Sequence, residues 1–290
     1  MEVFTFEAIG TKWHITVDGK SFTDEIKENI LTHISSFENQ FSRFIEENEA
    51  TQFRYAKAGS YRISQRFVLL LKKAKEIFDL TEGRYDPSVG RFLELAGYDQ
   101  EYSFEEKSER ENFRVPSWSV EGTMLTINGP IVFDFGGIGK GFCIDKVAHI
   151  LSNFDYQYYL VEAGGDMYGT TKSDGSGWRV ALEWPNQEEK VFGTVELKNQ
   201  AIAVSDSYRR SWKNWHHIVD LEKRQSIKKV LSCVALSKTA FDADCTTSGL
   251  FLAGSPDNSM SIAEAFESEY IVFQNDNTVR VSQFWPGELF

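Results

Sequence analysis

The segment FDADCTTSGLFLAG, residues 241–254, sets two carboxylates and three hydroxyls ahead of an apolar run. If residues 242–253 are helical, Asp244 and Ser248 stand four apart on one face of the first turns, and Leu250 and Phe251 turn to the core. A carboxylate beside a hydroxyl offers the hard oxygen donors that Mg²⁺ takes, with positions left for water and phosphate. The same residues also suit plain helix capping, in which Asp242 or Asp244 accepts from the first free amides. Both readings stay open at this point.

Two glycine turns have the chemistry of anion sites. FDFGGIGKGFCID places Gly136, Gly137, Gly139 and Gly141, with Lys140 among them, between a strand and a helix. Glycines let backbone amides approach a ligand closely, and the helix adds the positive end of its dipole. The segment is neither a P-loop, which needs Ser or Thr after Gly-Lys, nor GxGxxG. VEAGGDMYGT repeats the device with Gly164, Gly165 and Asp166. A tight turn explains each glycine run alone, whereas two such turns on adjacent strands would line one cleft with amides. His216 and His217, the only adjacent histidines, precede an alternating strand near Asp220 and include a candidate general base. Arg209 and Arg210 read either as phosphate contacts or as surface charge.

These residues need elements to position them. Residues 2–18 alternate as a strand, Thr23 is a helix cap, and Ile26, Ile30, Ile34, Phe37 and Phe41 recur at helical spacing. A second amphipathic helix starts near Ser64 and ends at TEGRYDPSVG, where Gly83 and Pro87 break it. Residues 98–115 are too charged for a core and predict an exposed excursion. MLTINGPIVFDF predicts a hairpin turning at Asn128-Gly129. Val147, Ile150, Leu151 and Phe154 predict a helix, YQYYLVEA a strand, and NSMSIAEAF a short helix in a remainder that is mostly strand. With no internal repeat or low-complexity linker, the pattern predicts an α+β protein of mixed, mostly antiparallel sheets with packed helices, a single domain over residues 1–290.

A formal charge of −12 opposes general attraction to a polyphosphate backbone, which argues against nucleic acid as a partner. A phosphate-bearing substrate needs a local reversal of that field by a metal or a ring of amides. No run reaches the ~18 apolar residues of a membrane span. Cys143, Cys233 and Cys245 are widely spaced, with neither a CxxC pair nor a zinc-like cluster. The first residues carry no basic-then-apolar export signal, so the expectation is a cytoplasmic location, with export the alternative if a leader has been removed.

Taken in order, the blocks of this chain resemble those of the ApbE family of flavin transferases. IGTKWHITV is similar to that family's opening strand, and FENQFSRFIEENEATQF to its first helix and following loop. LTEGRYDPSVGRFLELAGYD resembles TgGrFDPtVG…GYD, FDFGGIGKGFCID resembles DlGGiaKGyavD, and LVEAGGDMYG resembles the NaGGDi turn. AIAVSDSYRRSW is similar to aiatSGdY, HHIVD to HIiDP, and FDADCTTSGLFLAG to eADalaTalfvlG.

The resemblance implies a T-fold-like body and a Mg²⁺-dependent transfer of FMN from FAD to a Ser or Thr hydroxyl of a target flavoprotein subunit, with AMP released. It implies Asp244, Ser248 and the Gly139 carbonyl as metal ligands, and Lys140 and His217 as catalytic groups. It also implies Tyr85, Asp86, Gly136, Gly137, Gly164, Gly165, Asp166, Ser205 and Tyr208 around the FAD. Two alternatives stand beside it: hydrolysis of FAD to FMN and AMP, and a non-catalytic FAD-binding protein. The chain departs from the pattern at Glu162, at Asp206 and at Leu221, Glu222 and Lys223, and the two carboxylates are expected to oppose a diphosphate.

Overall fold

The computed structural model describes residues 1–290, apart from the side chain of residue 188. Its six helices are α1 (Asp24–Phe41), α2 (Gln65–Leu80), α3 (Gly90–Leu95), α4 (Gly139–Asn153), α5 (Ala240–Leu252) and α6 (Pro256–Ala265). Their starts follow from local chemistry. Thr23, Ser64, Thr239 and Ser255 each accept a hydrogen bond from a first-turn amide of α1, α2, α5 and α6, and Pro256 opens the last of these, where its missing N–H costs nothing.

Eight strands form the main sheet, and their spatial order follows the chain: 2–8, 11–17, 159–163, 166–169, 200–206, 230–237, 269–274 and 279–281, every neighbour antiparallel. Period-two alternation gives the central strands two buried faces. Trp13, Ile15, Val161, Ala201 and Cys233 meet the stripes of α1, α2, α4 and α5 on one side. Ile202, Val234, Leu236, Ile271 and Phe273 meet a smaller three-stranded sheet, residues 178–184, 187–197 and 288–289, on the other. Each fully buried Ile or Phe contributes ~1.5–3 kcal/mol. The two layers of packing fix where the sheet's loops emerge, and the site lies among those loops.

Two expectations change and a third holds. The predicted strand over 2–18 is a hairpin, because Ile9 and Gly10 both adopt positive φ and turn the chain. The second hairpin pairs 118–121 with 124–127 and turns at Gly122, not at Asn128-Gly129. Asn128 closes its open end instead, accepting from the Ser117 amide and donating its own to the Ser117 carbonyl. Residues 98–115 are mostly exposed but anchored, since Glu106 accepts from the Trp215 indole and Asp99 holds Ser103 and Lys107.

Candidate functional site

The amides that open α5 have partners other than Asp244. Thr239 caps the Asp242 amide, and the Asp145 carboxylate of α4 accepts from Ala240 and Phe241 at 2.8 and 2.9 Å. Capping therefore falls to Thr239, with Asp242 beside it. Asp244 is left facing the start of α4, where its Oδ2 accepts from the Gly141 amide at 2.9 Å. One turn on, the Ser248 hydroxyl donates to the Gly137 carbonyl at 2.5 Å. The helices reach this distance because residue 141 is glycine: a Cβ there would stand 2.2 Å from the Ala240 carbonyl oxygen and 2.7 Å from the Asp244 Cβ.

Lys140 lies between two carboxylates. Its ammonium is bonded to Asp166 Oδ2 and stands 3.6 Å from Asp244 Oδ1. Asp166 is itself buried, and its other oxygen accepts from the Val204 amide at 3.0 Å. Burial works against the Lys140 charge, but Asp166 and Asp244 outweigh it and hold its pKa above the ordinary lysine range. Burial pushes Asp244 up to about 7, against the pull of Lys140.

Gly164 and Gly165 form a two-residue hairpin turn, with φ of 59° and 97°, a conformation that suits glycine. The turn reading and the cleft-lining reading are therefore both true of this segment. A cleft of about 650 Å³ runs from it past Lys140 and into the space between the two sheets. Tyr85, Asp86, Gly136, Gly137, Lys140, Gly164, Gly165, Ser205, Tyr208, His217, Asp244 and Ser248 all line it; Asp166 sits beneath, and Gly139 faces a neighbouring cleft.

The two histidines differ. His216 spends both ring nitrogens on the backbone: Nδ1 accepts from the Ile218 amide and Nε2 donates to the Ile227 carbonyl at 2.6 Å. Among the described residues only the Nδ1 of His217 finds a partner, the Arg210 carbonyl at 3.4 Å. A carbonyl only accepts, so Nδ1 carries the proton and Nε2 keeps its lone pair for the cleft. Burial first, and then Arg210, lower its pKa to about 3.

Other predicted residues have structural duties as well. Asp86 accepts from the Ser88 amide and the Trp118 indole. Ser205 donates to Thr247, which donates to the Asp244 carbonyl. Burial raises the Tyr85 and Tyr208 phenols above their usual range. The departures find local compensation. Asp206 accepts from the Arg209 amide at 2.8 Å, with the guanidinium 3.6 Å away. Glu162 lies across from His14 in the sheet register, and Leu221 fills a buried cluster with Trp212 and Trp215.

Sequence reasoning missed Thr247, Phe44 and Arg43. The Arg43 guanidinium bonds Asp134 at 2.5 Å and lies over the Phe44 ring. Only the oddity of an arginine between two phenylalanine-bearing stretches marked it.

Among the described residues no group of three or more His, Cys, Asp or Glu could hold a metal ion. The corner beside Lys140 instead offers the Asp244 carboxylate, the Ser248 hydroxyl and main-chain carbonyls of the glycine turn. That all-oxygen set suits a hard divalent cation.

The chain is 28% identical over 265 residues to a FAD:protein FMN transferase of Vibrio cholerae, covering 86% of this chain and 78% of the relative. It is 26% identical over 298 residues to a FAD:protein FMN transferase of Haemophilus influenzae, covering 93% and 86%. The solved structure of a flavin transferase ApbE from Vibrio cholerae superposes with a TM-score of 0.84 over 97% of each chain at 24% identity, a likeness of fold. The model of the ApbE family matches residues 9–272, and the chain belongs to that family.

Proposed function

We propose that this protein transfers FMN from FAD to a Ser or Thr hydroxyl of a flavoprotein and releases AMP. The observation that carries the reading is the convergence, in one cleft, of an oxygen-donor corner at Asp244 and Ser248, a clamped lysine and a histidine with a free Nε2. Asp244, Ser248 and the Gly139 carbonyl would hold Mg²⁺, which when bound neutralises diphosphate oxygens and the charge that builds on the leaving phosphate.

The chain's own groups do the rest. Amides at Gly137 and Gly165 orient the diphosphate, while those of Gly136 and Gly164 are held by the Asp134 carboxylate and the Lys12 carbonyl and shape the two turns, and Lys140 adds a fixed charge that Asp166 keeps in place. The acceptor oxygen forms a bond to the FMN phosphorus, and the bond from that phosphorus to the bridging oxygen breaks. AMP leaves with that oxygen, and the hydroxyl proton passes to Nε2 of His217. A diphosphate in the cleft raises the proton affinity of His217 from its low value in the free protein, bringing it toward the range where general base catalysis is effective. Tyr85, Tyr208 and the apolar slot between the sheets supply surface for the planar rings of FAD.

The test is incubation with FAD, Mg²⁺ and an apo-flavoprotein subunit carrying a Ser or Thr acceptor, followed by mass analysis. A covalent FMN increment with stoichiometric AMP is expected, and Asp244→Ala abolishes both while circular dichroism stays native. Free FMN with no adduct would establish hydrolysis instead, and bound FAD with no AMP would establish a binding protein.

A further inference from the structure

A second cleft, of about 490 Å³, adjoins the first and shares Gly136, Lys140, Arg209 and Arg210 with it. Asp244, Ser248 and His217 line only the first, and Gly139 only the second. The second is walled by aromatic rings. Phe37, Phe41 and Phe135 belong to the core, whereas Tyr102 and Phe104 are 49% and 39% exposed at its outer side. Its floor carries an unsatisfied cation. The Arg43 side chain is 1% exposed, its Nε is spent on Asp134, and both Nη1 and Nη2 lack hydrogen-bond partners. The Glu94 carboxylate stands 3.9 Å from Nη1, too far for a hydrogen bond. A buried guanidinium with two idle nitrogens is costly unless a ligand supplies acceptors.

Building on the transferase reading, we propose that this second cleft receives the hydroxyl-bearing segment of the acceptor protein. Transfer needs two substrates to meet at one phosphorus, with the attacking and leaving oxygens roughly in line. FAD occupies the cleft that holds the oxygen-donor corner, so the acceptor needs a separate approach that ends at the same place. The second cleft ends at Gly136 and Lys140, and Arg210, whose carbonyl orients His217, borders both. An extended polypeptide presents a carbonyl oxygen at every residue, which meets the idle Arg43 nitrogens when the covering Phe44 or Tyr98 ring turns aside, and apolar side chains flanking the hydroxyl pack on Tyr102 and Phe104.

The experiment uses the full chain and a purified apo-flavoprotein subunit that the wild type flavinylates. Tyr102→Ala and Phe104→Ala, singly and together, remove rings of the outer wall, Tyr102 from its stack on Phe44 and Phe104 from its contact with Trp212. The double variant is expected to raise the KM for the acceptor at least tenfold, with kcat within threefold and FAD affinity, read by flavin fluorescence, within twofold of wild type. Arg43→Lys, which keeps the charge near Asp134, is expected to raise the same KM. An unchanged KM in the double variant overturns the assignment, and so does a loss of FAD affinity as large as the rise in KM, which would place the flavin in this cleft. A wild-type protein that binds FAD and flavinylates no acceptor overturns the transferase reading itself, and this assignment with it.

Discussion

The contact between α4 and α5 makes Gly141→Ala the most demanding single change for this site. The new methyl would lie 2.2 Å from the Ala240 carbonyl oxygen, where real Cβ contacts stay beyond 3.0 Å. The obstacle is backbone, not a flexible side chain, so the helices must part by about 1 Å in a close-packed interior. Overpacking of this kind costs ~1–3 kcal/mol. Separating the helices also weakens the Gly141 amide bond to the Asp244 carboxylate, and a hydrogen bond to a charged group contributes ~1.5–3 kcal/mol. Alanine's helix propensity returns ~1 kcal/mol. The net expected loss is ~1.5–5 kcal/mol, read by urea unfolding with unchanged m-value. Gly129→Ala is the control, since nothing lies within 4 Å of its Cβ position and its φ is not positive; it should fall within ~0.5 kcal/mol of wild type. Because Gly141 anchors Asp244, the first variant should also lose Mg²⁺-dependent FAD binding. A Gly141→Ala protein as stable as Gly129→Ala would refute the account of how the two helices set the site.

His217→Ala should slow transfer ~100 to 10,000-fold while leaving FAD affinity nearly intact, and stopped-flow AMP release against FAD titration separates the two. The pH dependence of stability tests the same residue. With its folded pKa depressed from 6.5 to about 3, His217 binds fewer protons folded than unfolded, so its contribution is full above pH 6.5 and is lost as pH falls toward 3. Burial raises Asp145 to about 6 and Asp244 to about 7, and these titrate with the opposite sign, so the readout is the wild type minus His217→Gln. The variant should lose less stability between pH 6.5 and about pH 4.5, by up to ~1.4 kcal/mol per pH unit, and parallel curves would remove the claim. Lys140→Met strands two carboxylates and should cost ~3–5 kcal/mol, part of it recovered by Lys140→Met with Asp166→Asn in a double-mutant cycle. All three thiols are buried and free, with burial pushing their pKa values well up, so a thiol reagent should label none in the native protein and all of them in denaturant.

What could be read from the chain was whatever local chemistry decides. The cap at Thr23, the helix start near Ser64, the stripes of α1 and α2 and the two glycine turns each rest on residues within a few positions of one another. Asn128-Gly129 misled because a favourable turn dipeptide competes with a glycine six residues earlier, and the register of three strands chose Gly122. The division of labour at α5 was hidden because Asp145, 95 residues before Ala240, satisfies the amides that Asp244 would otherwise have capped. The histidine pair could not be resolved from spacing either: the Ile227 carbonyl, across a short hairpin, makes His216 structural and leaves His217 open. Arg43 and its neighbours Asp134 and Glu94 are joined only by tertiary packing.

The acidic composition raises a physical question about an anionic substrate, and the pairing of charges in the cleft answers it. Asp206 is met by Arg209, Asp134 by Arg43 and Asp166 by Lys140, so three carboxylates that would repel a diphosphate are neutralised where they stand. Glu162, at the far end, faces His14, and burial holds its pKa above the usual range. Asp244 differs, since it shares Lys140 with Asp166 and stands 3.6 Å from its ammonium without bonding it. Burial first raises its pKa to about 7, Lys140 opposes the rise and Asp166 adds to it, so a carboxylate short of positive charge lies where a diphosphate needs a cation. A long-range field of the wrong sign is screened within about 10 Å at ordinary salt, so one such point inside the cleft, flanked by oriented amides, outweighs the net charge of the molecule.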